Sequence, residues 1–158
     1  MAEKLIVSTL EPVESGQQFE SLPLHVTLMP WFEITQESAI TLNRYLKVLA
    51  KKTDTLELEG EEEAMFGEDN DVRVRKLAAS KLCLMHFDIL AAINWSDGKC
   101  QSPYIAENYN PHVSFVEGES IGQGETVDVH ALQVIEREPK TRVRTVTDIH
   151  DFAGRVAI

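Results

Sequence analysis

Two short stretches far apart in the chain, Leu24-His25-Val26-Thr27-Leu28 and Asn110-Pro111-His112-Val113-Ser114-Phe115, carry the same alternating pattern. Each reads as a strand, because apolar residues at every second position bury one face and leave the other for polar groups. His25 and Thr27 therefore project together, while Val26 and Leu28 anchor the reverse side. His112 and Ser114 stand in the same relation to Val113 and Phe115. Pro23 and Pro111 lie just upstream, where a strand can begin without a ladder N–H.

Working outward, Leu5-Ile6-Val7 reads as a strand, followed by a loop from Glu11 to Ser21 and an extended apolar stretch from Leu24 to Phe32. Thr35 suits a helix N-cap, and Ala39, Leu42, Leu46, Leu49 and Ala50 then recur at helical spacing. Leu56 and Leu58 alternate with Glu57 and Glu59 as in a half-buried strand ending at Gly60, and Val72 and Val74 alternate with Arg73 and Arg75. Ser80 is read as the cap of a second helix whose inner stripe is Leu82, Met85, His86, Ile89 and Ile93, with a turn at Asp97-Gly98. Three strands are expected in the last third: Pro111 to Val116, Val127 to Ile135 and Arg142 to Thr147. Strands, helix, strands, helix, strands predict an α+β domain with antiparallel pairing over residues 1–158.

The chain has 158 residues, 43% of them hydrophobic, enough to bury a core. No apolar run approaches the roughly 18 residues that cross a bilayer, and the N-terminus lacks a signal-peptide pattern. Cys83 and Cys100 make neither a disulfide framework nor a zinc site. A cytoplasmic protein, monomeric and without a membrane partner, is the expectation. The net charge of −11 argues against tight binding to long nucleic acid, which needs many cations to displace counterions. A small anionic substrate held by a few local donors remains compatible with it. The acidic run from Glu57 to Asp71 reads as a solvated hairpin or loop.

Two imidazole–hydroxyl pairs facing one groove suit a phosphodiester. One imidazole removes a proton from an attacking water or hydroxyl, and the other, protonated, donates to the leaving oxygen. The hydroxyls hydrogen-bond the non-bridging oxygens and hold the phosphorus in line. That division of labour calls for no metal and no cofactor. With five histidines, and Ser or Thr at roughly 12% of positions, about half of one His-x-Ser/Thr hit is expected by chance. Two such hits, both in strand context, exceed that background.

These residues resemble the paired motifs of the 2H phosphoesterase superfamily, which includes 2′,5′ RNA ligase-like and cyclic phosphodiesterase proteins. The family pattern is His, an apolar residue, Thr or Ser, then another apolar residue, once in each lobe. Met65-Phe66-Gly67 and Leu84-Met85-His86 resemble further segments of it, so the likeness runs from the first strand to about Thr147. It implies two pseudo-symmetric lobes of mainly antiparallel strands, helices packed outside, and a central cleft. It also implies metal-independent hydrolysis of 2′,3′-cyclic or 2′,5′-linked phosphodiesters of RNA ends or small nucleotides. RNA 2′,5′ ligation, or a nucleotide- or RNA-end-binding module without turnover, are the alternatives. By motif position, His25 and His112 are the acid/base pair and Thr27 and Ser114 the phosphate donors. Leu24 stands where the family often has a polar residue.

Tyr104 and Tyr109, in the loop before the second motif, are candidates to stack on a base. Arg73 and Arg75 share one strand face within the densest basic cluster, with Lys76 and Lys81, and are candidate phosphate contacts; pairing with the acidic stretch is the competing reading. His86 is expected to pack in the core, His130 at the surface or in a strand, and His150 in a terminal polar loop. Trp31 either walls the cleft or covers the core.

Overall fold

The computed structural model describes residues 1–154. Among these described residues nine strands form one antiparallel sheet: β1 (Ala2–Thr9), β2 (Gln18–Phe19), β3 (His25–Ile34), β4 (Leu56–Phe66), β5 (Val72–Ala78), β6 (His112–Ser114), β7 (Thr126–Val129), β8 (Ala131–Arg137) and β9 (Arg144–Asp151). Their order is β2-β9-β8-β1-β3-β6-β5-β4-β7. The two motif strands, β3 and β6, are neighbours in the middle, joined through the pair Val26–Val113. Five strands thus lie on the β3 side and four on the β6 side, the two-lobed α+β arrangement that the motifs imply.

Two 16-residue helices, α1 (Gln36–Lys51) and α2 (Ser80–Trp95), cover one face. Leu42, Leu46, Leu82, Ile89 and Ile93 from the helices share a single core with Val26, Leu28, Phe32 and Val113 from the motif strands. Each such side chain contributes about 1.5–3 kcal/mol on burial, so the core registers both motif strands against the helices. On the opposite face Leu5, Val7, Leu22, Ile135 and Val146 make a smaller cluster under Val13 and Phe19 of the Glu11–Ser21 loop. Thr35 caps α1 as its sequence suggests, accepting from the Ser38 N–H at 3.1 Å.

Four expectations need correction. Ser80 is the first residue of α2 and not its cap; β5 runs to Ala78, so Ala79 takes the cap position with no side-chain bond. The strand from Leu56 does not end at Gly60 but continues to Phe66, because Glu62 and Glu63 find cations across the hairpin in Lys76, Arg73 and Arg75. Gly60 marks a register shift, where a Cβ would lie 2.5 Å from the Gly122 carbonyl oxygen. Val127 to Ile135 is not one strand: His130 divides it into β7 at the sheet's edge and β8 in the other lobe. A one-residue link between such distant strands requires the sheet to curl until its flanks approach. His150 lies within β9 and not in a loop, half-buried and 2.9 Å from Asn43 Oδ1 on α1.

Candidate active site

The pairing of Val26 with Val113 fixes the rest of the motif geometry. In an antiparallel ladder, stepping one residue either way sets His25 beside Ser114 and Thr27 beside His112. Both valines are fully buried beneath the helices, so the four polar side chains share the other face. The two histidines occupy one diagonal of this square and the two hydroxyls the other, related by a local two-fold axis. Diagonal neighbours of this kind stand about 7–8 Å apart, their Cβ atoms somewhat closer, a span that a phosphoryl group between two imidazoles can bridge.

Each imidazole is oriented by the carbonyl two residues before it. Nδ1 of His25 lies 2.8 Å from the Pro23 oxygen, and Nδ1 of His112 lies 2.7 Å from the Asn110 oxygen. A carbonyl only accepts, so Nδ1 carries the proton and the neutral ring presents an unprotonated Nε2. Burial pushes both imidazoles below their ordinary value; His25 is lowered further by the charges of His112 and Arg144, while the Pro23 and Asn110 hydrogen bonds oppose the shift.

Two cavities flank the square and meet at Thr27 and Pro30. The larger, 540 Å³, is walled by His112, Met65, Phe66, Val72, Tyr104 and Tyr109. Phe66 sets its ring edge-on to His112, with centroids 4.9 Å apart. The smaller, 350 Å³, holds His25, Trp31, Leu22, Val116 and Arg144. One wing of the cleft is thus apolar and aromatic, and the other carries a cation.

Tyr104 is half exposed and lines the larger wing. Tyr109 lines that wing but is committed elsewhere: its hydroxyl donates to the Thr27 carbonyl at 2.8 Å, and its ring stacks on His86. Trp31 does both things open to it, lining the His25 cavity and packing against the smaller core beneath Arg137. The structure does not bring Arg73 and Arg75 to the site. Val74 pairs with Ser114 and Lys76 with His112, so the arginines alternate onto the face of Val113. There Arg73 binds Glu63 at 2.8 Å and covers the Phe115 ring, and Arg75 donates to Ile121 and Glu61 carbonyls. Lys76 is the register partner of His112, yet its ammonium pairs with Glu62 at 3.2 Å.

Arg144 is the site residue that sequence reasoning misses. It donates to the Glu20 carbonyl and, among the described residues, forms no ion pair with a carboxylate. Its signal is its place in a strand whose neighbour cannot be known without the sheet order. Among the described residues no group of His, Cys, Asp and Glu is arranged to hold a metal ion, and no helix is long and apolar enough to cross a membrane. Cys83 and Cys100 are free thiols.

No family model matches the sequence, and no curated protein does. Solved structures do. A phosphoesterase crystal structure is 13% identical over 96% of this chain and 99% of its own, with a TM-score of 0.69. TT0787 of Thermus thermophilus is 15% identical over 98% and 100%, with a TM-score of 0.69. E. coli LigT complexed with 3′-AMP is 12% identical over 96% and 98%, with a TM-score of 0.67. The chain therefore has the fold of these phosphoesterase and LigT structures, the architecture that its two motifs resemble.

Proposed function

We propose that this protein is a phosphoesterase that hydrolyses 2′,3′-cyclic or 2′,5′-linked phosphodiesters of RNA ends or small nucleotides, with His25 and His112 as acid and base. The observation that carries this reading is the diagonal square across the Val26–Val113 pair, in which both rings are held by their Nδ1 protons with Nε2 left for chemistry. The shared fold with a phosphoesterase and with a LigT complexed with 3′-AMP supports it. Thr27 and Ser114 donate to the non-bridging oxygens from the other diagonal.

The unlike wings suggest how the labour divides. A nucleobase fits the aromatic wing beside His112, which puts the departing ribose oxygen nearest that ring. Arg144 disfavours a second cation at His25, which leaves His25 the neutral base. His25 Nε2 takes a proton from water as the new O–P bond forms. His112 Nε2–H gives its proton to the ribose oxygen as the old P–O bond breaks. A ribose hydroxyl replacing that water would turn hydrolysis of a cyclic phosphate into ligation.

A panel of 2′,3′-cyclic nucleotides and 2′,5′-linked dinucleotides, incubated in EDTA, tests the reading. Turnover to monoester products is expected. Binding without product would instead make the chain a nucleotide-binding module.

A further inference from the structure

His86 belongs to neither motif and is completely buried, yet both its nitrogens are engaged. Nδ1 donates to the Leu28 carbonyl on β3 at 2.7 Å, and Nε2 accepts the Ala106 N–H at 2.9 Å. The ring is therefore neutral, and burial lowers its proton affinity. It lies flat on Tyr109, with centroids 4.1 Å apart and planes 4° from parallel. Tyr109 in turn donates to the Thr27 carbonyl.

The consequence is a closed circuit between the two half-sites. Adjacent carbonyls of the first motif strand, at Thr27 and Leu28, are gripped by Tyr109 and His86. The same two side chains fix the loop entering the second motif. His86 holds Ala106, which has a left-handed φ of 56° that a non-glycine residue adopts only under constraint. Tyr109 precedes Asn110, whose carbonyl orients His112. Core packing alone would ask a single apolar side chain of each position; here three hydrogen bonds from two stacked rings converge on the backbones that carry Thr27 and His112.

We propose that His86 and Tyr109 are positioning residues that lock the loop before the second motif to the first motif strand, so that His112 and Thr27 address one phosphorus atom. This rests on the phosphoesterase reading only for its kinetic consequence; the orientation of His112 is a property of the protein itself.

The test uses histidine labelled with ¹⁵N, whose long-range correlations report the tautomer of each ring, together with steady-state kinetics and melting curves. Tyr109→Phe keeps the stack and the volume but removes the bond to Thr27. Asn mimics the Nδ1 side of an imidazole and Gln the Nε2 side, so His86→Asn frees Ala106 while His86→Gln keeps it held. In Tyr109→Phe and His86→Asn, His112 should lose its pure Nδ1–H signature while His25 keeps it. Their kcat should fall about 10-fold, the scale of a sub-ångström misplacement, with KM within about twofold. His86→Gln should restore much of both. A His112 signal and kcat unchanged in folded Tyr109→Phe and His86→Asn would overturn the proposal. If the wild type turns over no phosphodiester, the functional reading fails, and the His112 tautomer still decides this one.

Discussion

His25 and His112 stand on one diagonal of the square set by the Val26–Val113 pair, each with its Nδ1 proton given to the carbonyl two residues earlier. They come from distant parts of the chain, yet the orienting device is the same. Only the Nε2 atoms remain for chemistry.

The pH dependence follows from the direction of the shifts. Burial lowers both rings from 6.5, with further lowering of His25 by His112 and Arg144. The proposed reaction needs one neutral and one protonated imidazole in the free protein, so kcat/KM should rise through the lower apparent pKa and fall through the upper. Both limbs should lie below 6.5. An anionic substrate favours the imidazolium, so the kcat profile should sit at higher pH. A kcat/KM optimum above neutrality would contradict this.

Arg144→Gln removes the cation from the His25 cavity. The lower-pH limb of kcat/KM should move up, because His25 becomes easier to protonate. Affinity for an anionic substrate should fall about tenfold, the scale of one charge-assisted hydrogen bond. An unmoved limb would show that Arg144 does not act on His25.

Tyr104→Ala opens the aromatic wing without touching the square. Loss of base stacking should raise KM about tenfold with kcat nearly unchanged. Equal loss in kcat would place Tyr104 in the chemical step. A substrate lacking a base should be indifferent to the change.

Stability should also depend on pH through the imidazoles. His25, His86, His112 and His150 are all lowered in the folded protein, in each case chiefly by burial. Below 6.5 the unfolded chain therefore binds more protons than the folded one, and stability rises with pH in that window. It is fully present above the ordinary imidazole value and lost as pH falls through the folded values. The urea midpoint should be lower at about pH 5.5 than at about pH 7.5; an equal or higher midpoint would contradict the shifts.

The motif strands, both helices and the inner stripe of α2 are legible in the sequence, because alternation and helical spacing express burial directly. His86 is legible as a core residue for the same reason. What it does there is not, since its partners Leu28 and Ala106 are set by packing between elements. Arg73 and Arg75 show the opposite limit. Their shared face is readable, but which face it is depends on β5 pairing Lys76 with His112. The division at His130 escapes too, because Val127 to Ile135 is apolar enough to pass for one strand although its halves serve different lobes. Arg144 requires knowing that β9 flanks the His25 cavity.

In the proposed reaction two imidazoles act on one phosphorus atom, and single and double replacements of His25 and His112 decide whether they do. Measured in EDTA on whichever phosphodiester turns over best, His25→Ala and His112→Ala should each cost at least about 100-fold in kcat. The double variant should cost little more than the worse single one, as for groups that act as a unit. Turnover that survives both replacements would rule out His25 and His112 as the acid and base.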